Sequence, residues 1–253
     1  MSIPFAAPFG ATAPVLPMPS RPRLITRRYE IESLDREGNT VFKDLIAPAN
    51  ARFESAFNGF ARGTLIATPT GRRAIEDLRP GDLVETEEFG PQPVQWIGHM
   101  TLEPGMPLPD PAQARLSRLP LDSHGVGRPS VDLLVGPGAR MLHRPSVLNG
   151  DGGAAQVYTP VSQMTDGETV VEIAPLHPVD MYHLCLPKHA TIRAGGLRFE
   201  SFHPGYGIES TMGPNALALF LALFPHISDP SEFGLLAHPR MSRAQLEALE
   251  DAA

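Results

Sequence analysis

Between Gly63 and Phe202 the chain is interrupted every few residues by glycine, proline or aspartate, and this spacing restricts what it can fold into. The pieces between the breaks are short and apolar: "GTLIATP", "DLVET", "VQWIG", "VDLLVG", "VYTPVSQM", "VVEIAPL", "DMYHLCLP" and "ATIRAGG". Short strands with turn residues at such intervals point to an all-β sandwich or barrel-like fold. The pattern changes at both ends. Upstream, Leu24 to Asn50 carries a strand-like run with a turn at Glu37-Gly38-Asn39, and the residues from Ala49 read as a short helix. Downstream of Pro204, "PNALALFLALFP" is a compact apolar helix, and "SRAQLEALEDA" is a second with Ser242 as its N-cap.

Proline is the compositional outlier, with 28 residues, and Pro4, Pro8, Pro14, Pro17, Pro19 and Pro22 crowd the start. Proline lacks the N–H that a helix needs and crowds the preceding turn. Residues 1–23 therefore read as a flexible leader. They have neither the basic start nor the unbroken apolar run of a secretory signal. The compartment stays open: cytoplasm, or export without such a signal. No window approaches the roughly 18 consecutive apolar residues of a membrane span. The net charge of −7 argues against a nucleic-acid partner. A single cysteine, Cys185, excludes an intrachain disulfide.

The most informative stretch is Gly63 to Gly98. Leu65 and Ile66 open a buried strand, Thr70-Gly71 is a turn, and Ile75, Leu78 and Val84 are apolar anchors. Pro80-Gly81 is a type II turn signal, because proline presets one dihedral and glycine accepts a positive one. Asp82 stands where its carboxylate can bond the turn's backbone. Gly90-Pro91 turns the chain again before Trp96, the only tryptophan, which reads as core.

This stretch resembles Hint (Hedgehog/intein) domains. In that family a "GT-x-I-x-T" strand precedes "ED-L-x-x-GD-x-V" and a "V-x-x-I" strand. Here the counterparts are Gly63 to Thr68, Glu76 to Val84, and Val94 to Ile97. "DLLVGPGARML" from Asp132 resembles the family's central strand, and "MYHLCLPKHATIRAGGLRFESFHPG" from Met181 its closing strands. The resemblance implies a mainly β fold: a horseshoe-like, pseudo-twofold all-β disc with a short helical C-terminal extension. It divides the chain into the leader 1–23, an N-terminal extension 24–56, a Hint-like domain 57–205 and a helical tail 206–253.

The resemblance also implies a chemistry. An active Hint domain begins with Cys or Ser, which attacks the preceding carbonyl, while a His of the central motif protonates the departing nitrogen. Counting back from Gly63-Thr64 places the nucleophile position on Gly59, with Phe60 matching the family's phenylalanine. The His position falls on Ala139, in Gly136-Pro137-Gly138-Ala139. Neither residue has a reactive group. Ser55 and Thr64, the nearby hydroxyls, are displaced from the position.

Other candidates have bland readings beside functional ones. Strand alternation puts His183 and Cys185 on one face, as a substitute nucleophile pair or as a buried thiol beside a bonded His; the buried reading is the more economical. His183 with His189 or His203 lacks the spacing of a zinc site. His124 and His143 read as exposed loop residues. Asp180 reads as turn chemistry, or as a carboxylate that orients a His. Glu200 to Gly205 reads as a polar, exposed closing segment. The helix Ala216 to Phe224 is apolar on nearly all sides and reads as buried against the β domain, or as a partner surface.

The chain thus reads as a Hint-type protein without a working catalytic pair, cofactor or metal, with a structural role or a peptide or protein partner. The alternative is self-cleavage through Cys185 and His183.

Overall fold

The computed structural model describes residues 25–252 except 109, 151 and 152, so the leader 1–23 lies outside the described residues. Two antiparallel sheets carry the fold. The larger has eight strands, in the order Val171–Ile173, Leu116–Leu119, Leu133–Val135, Phe60–Ala61, Val179–Cys185, Trp96–Leu102, Thr26–Leu34 and Thr40–Pro48. The smaller has six: Val157–Pro160, Arg140–His143, Leu197–Glu200, Thr191–Ala194, Leu65–Thr68 and Gly71–Ala74.

The first two strands form a hairpin on both sides of the turn expected at Glu37-Gly38-Asn39. The Asp35 carboxylate closes that turn by accepting the N–H groups of Glu37 and Asn39. Along Thr26–Leu34, Arg27, Tyr29, Ile31 and Ser33 are buried, the period-2 pattern of a half-covered strand. The same strand pairs with Trp96–Leu102, which ties the hairpin into the main sheet.

In the informative stretch, Ile66, Ile75, Leu78 and Val84 are fully buried. Asp82 accepts the Arg79 N–H at 2.8 Å, as its position after the turn implies. The core has two clusters. One gathers Tyr29, Phe57, Trp96, Phe202 and Phe224; the other gathers Phe60, Ile66, Leu78, Val135 and Phe199. Trp96 is completely buried, and its indole N–H donates to the Leu223 carbonyl at 2.7 Å. Burying an aromatic of this size is worth roughly 4–6 kcal/mol before entropy is counted.

The expected apolar helix spans Pro214–Leu221. It is one-sided in place. Phe220 enters the first cluster with Leu223 and Phe224 from the turn that follows, while Asn215 and Ala218 face water. The last helix, Arg243–Glu250, has the expected Ser242 cap, completed by Gln245 as a reciprocal capping box. Among the described residues no helix is long and apolar enough to cross a membrane.

Candidate functional site

The chain is led to Gly59 by a one-turn helix, Ala51–Glu54, capped by the Asn50 side chain. The carbonyl of Glu54 accepts the N–H groups of Phe57 and Asn58, at 2.8 and 2.9 Å. The Glu54 side chain is completely buried and pairs with Arg27 at 2.7 Å. Burial raises its pKa, and Arg27 opposes that rise. The pair locks the turn entering the junction onto the N-terminal hairpin.

At the junction the Asn58–Gly59 peptide lies against the loop Gly136 to Gly138. Gly136 donates its N–H to the Gly59 carbonyl at 3.0 Å, and Gly138 donates to the Asn58 carbonyl at 3.3 Å. Both loop positions need glycine. A Cβ on residue 136 would sit 2.1 Å from the Asn58 oxygen, and one on residue 138 would sit 2.5 Å from Asn58 Oδ1. The side chain of Asn58 is buried, and its Oδ1 has no hydrogen-bond partner. Ala139 is buried too, and it offers only a methyl group.

His183 occupies the space that a side chain on residue 59 would need. A Cβ there would lie 2.7 Å from His183 Cδ2 and 3.0 Å from Nε2. His183 is almost completely buried, edge-on to Phe60 and Phe202. Its Nδ1 accepts the Leu184 N–H at 3.1 Å, which places the ring proton on Nε2. Burial pushes its pKa down to about 3, helped by the nearby Arg140, Arg240 and His189 and opposed by Glu200. The ring is therefore neutral across the ordinary pH range.

A second buried group adjoins the junction. Glu200 meets Arg240 Nε at 2.8 Å, Arg140 Nη1 at 3.6 Å and His189 Nε2 at 3.0 Å. The His189 contact does not satisfy hydrogen-bond geometry and is an electrostatic approach. Burial alone would raise the Glu200 pKa, but His189, Arg240 and Arg140 together hold it at about 2. His189 Nδ1 accepts the Ala237 N–H, and His203 bonds through Nδ1 to the Gly205 N–H and through Nε2 to the Gly234 carbonyl. Arg240 also donates to the His203 carbonyl at 2.7 Å. Residues 234–240 thereby complete this network from the far end of the chain.

Several expectations need correction. Glu200, Ser201, Phe202 and His203 are buried, where the sequence suggested an exposed closing segment. Their polarity serves an internal network that distant residues close. His124 and His143 are half-buried rather than exposed. His143 lies on the strand Arg140–His143 and bonds Thr159 Oγ1 at 2.8 Å, while His124 Nδ1 meets Ser123 Oγ at 2.9 Å. Asp180 lies within a strand; it accepts the Thr101 hydroxyl at 2.9 Å and stands 3.4 Å from His99 Nε2.

Cys185 and His183 are both buried, but no hydrogen bond joins them. Cys185 sits in the aromatic cluster with Trp96, and burial raises its thiol pKa well above the usual value. Ser55 and Thr64 direct their hydroxyls to the local carbonyls of Arg52 and Ala61. Among the described residues no group of three or more His, Cys, Asp or Glu side chains is arranged to hold a metal ion. Sequence reasoning missed Asn58, Glu54 and Arg240. Of these, only the Asn58 position was foreseeable, because it directly precedes Gly59, the position that the resemblance singled out.

The family model for the Hint domain matches residues 58–206, and the chain belongs to that family. Its fold is the mainly β Hint type, with helices after the matched region. Among solved structures, the chain is similar to a bacterial intein-like domain from Clostridium thermocellum. That likeness has 15% identity and a TM-score of 0.38, and covers 57% of this chain and 99% of that one. The MchDnaB-1 intein is similar at 14% identity and a TM-score of 0.36, covering 56% of this chain and 99% of that one. No curated protein matches the chain.

Proposed function

We propose that this chain is a Hint module that no longer performs nucleophile-and-acid cleavage and serves as a structural or peptide- or protein-binding unit. One observation carries the reading: the place of a side chain on residue 59 is filled by the neutral ring of His183. Ala139, at the position of the general acid, adds a second deficiency. The junction grips residues 58–59 of its own chain through the Gly136 and Gly138 amides. Residues 57–205 form the proposed Hint unit, with 24–56 as an extension and 206–253 as a helical tail. No cofactor or metal enters this reading.

The test is the intact mass of the purified full-length chain, before and after incubation with hydroxylamine and a thiol. One unchanged species is the expected result. Fragments divided at Asn58–Gly59 would overturn the proposal and revive self-cleavage through other groups.

A further inference from the structure

One face of the six-stranded sheet and the loop from His124 to Arg128 enclose a cleft of about 570 Å³. Arg72, Arg128, Arg193, Arg198, His124 and His143 line it, and among the described residues no acidic side chain does. In a chain with a net charge of −7 the four arginines run against the overall balance, while burial lowers the pKa of His124 and His143 and favours their neutral rings.

The sheet register makes the placement sharper. Arg193 and Arg198 stand directly opposite each other on neighbouring strands. Like charges in that relation disfavour the pairing unless an anion joins them. Glu87 meets this need in part, at 3.3 Å from Arg193 and 3.6 Å from Arg198. One carboxylate cannot neutralise two guanidiniums. Neutral partners hold other arginine contacts: Arg72 donates to Ser130 Oγ at 2.9 Å, and Arg198 donates to Gln156 Oε1 at 2.6 Å. These bonds orient the guanidiniums without neutralising them, and each guanidinium carries five donors. The acids near the loop keep their charge, but they accept backbone N–H groups and do not line the cleft. Asp122 accepts the Gly127 N–H, and Asp166 accepts the N–H groups of residues 168–170. Met141, Leu142 and Leu197 are buried beneath the cleft, so its accessible apolar surface comes from Leu65 and from Val126, which stands 97% exposed.

We propose that this cleft binds an acidic peptide segment, with carboxylates on the arginines and an apolar side chain against Leu65 and Val126. Arginine forks match carboxylates two bonds at a time. The guanidiniums attract carboxylates at short range, and Leu65 with Val126 offers a peptide side chain a contact that a bare inorganic anion does not use. The site is separate from the junction, and the proposal holds whether or not the Asn58–Gly59 bond can break.

The experiment is fluorescence anisotropy on the full chain with a labelled peptide of alternating glutamate and leucine, at low and high salt. Its comparison probes are a lysine–leucine peptide, inorganic phosphate, succinate and a single-stranded oligonucleotide. The Glu–Leu peptide should bind, weaken with salt, and lose at least about tenfold in affinity in the double variant Arg72→Gln, Arg128→Gln. Both arginines are exposed, and unchanged Trp96 fluorescence checks that the variant is folded. Absence of binding, equal affinity in the variant, or equal binding of the lysine–leucine peptide would overturn the proposal. So would competition by phosphate or succinate at the peptide's own concentration, or tighter binding of the oligonucleotide.

Discussion

The junction at Gly59 and the network at Glu200 are neighbours, and they hold the chain by opposite means. At the junction, backbone amides of Gly136 and Gly138 hold backbone carbonyls, and the His183 ring is neutral. At the network, a full carboxylate is balanced by two guanidiniums and approached by an imidazole. The backbone grip on residues 58 and 59 uses no side chain of residue 59, whose space the His183 ring fills. The network depends on its charged side chains. Removing one partner strands the others away from water.

The largest effect should follow Glu200→Ala, which leaves Arg140, Arg240 and His189 without their carboxylate. A loss of about 3–5 kcal/mol is expected in denaturant unfolding. A loss below about 1 kcal/mol would mean that water reaches these charges, and the contrast with the junction would fail. Gly59→Cys should cost less, about 1–3 kcal/mol, because its Cβ must displace the His183 ring. Its intact mass should remain that of the full chain, since Ala139 still offers no proton. A cleaved Gly59→Cys product would show that the acid is supplied from elsewhere.

Acid should separate the two regions further. Below about pH 6.5 the unfolded chain takes up protons on its histidines. In the folded chain His183 resists protonation until about 3 and His203 until about 4, burial being the main cause for each. Stability should therefore fall as pH drops from about 6.5 toward those values. His183→Phe should flatten the slope by up to ~1.4 kcal/mol per pH unit. Glu200 acts lower. Its folded pKa of about 2 lies below the ordinary 4.5, so its contribution is complete above that value and is lost as pH falls toward 2. An unchanged slope in His183→Phe would show that the ring is hydrated. The smallest effect is expected at Cys185. Its thiol should resist a disulfide reagent in the native state and react on unfolding, and Cys185→Ala should cost less than about 2 kcal/mol.

The extent to which these regions were legible in the sequence differs for a physical reason. The strand after Gly63, the anchors Ile75, Leu78 and Val84, the Asp82 turn and the Ser242 cap are local features. Each is set by residues within a few positions of one another, so pattern and turn chemistry expose them. The junction was half legible: the sequence singled out Gly59 and Ala139, which the structure shows to be buried beside one another's loops. That His183 fills the vacated space depends on pairing strands more than 100 residues apart in sequence. The network was misread. Glu200 and His203 are polar residues next to a proline and a glycine, which suggests exposure unless Arg240 is known to reach back.

By itself the sequence determined the mainly β class and the Hint family, because strand spacing, turns and residue identity are properties of neighbours along the chain. Only the tertiary structure decided that Glu200, His189 and Arg240 form one buried group, that His183 is neutral, and that four arginines gather in one cleft. Burial and charge pairing are relations between distant residues, and a linear pattern does not carry their distances.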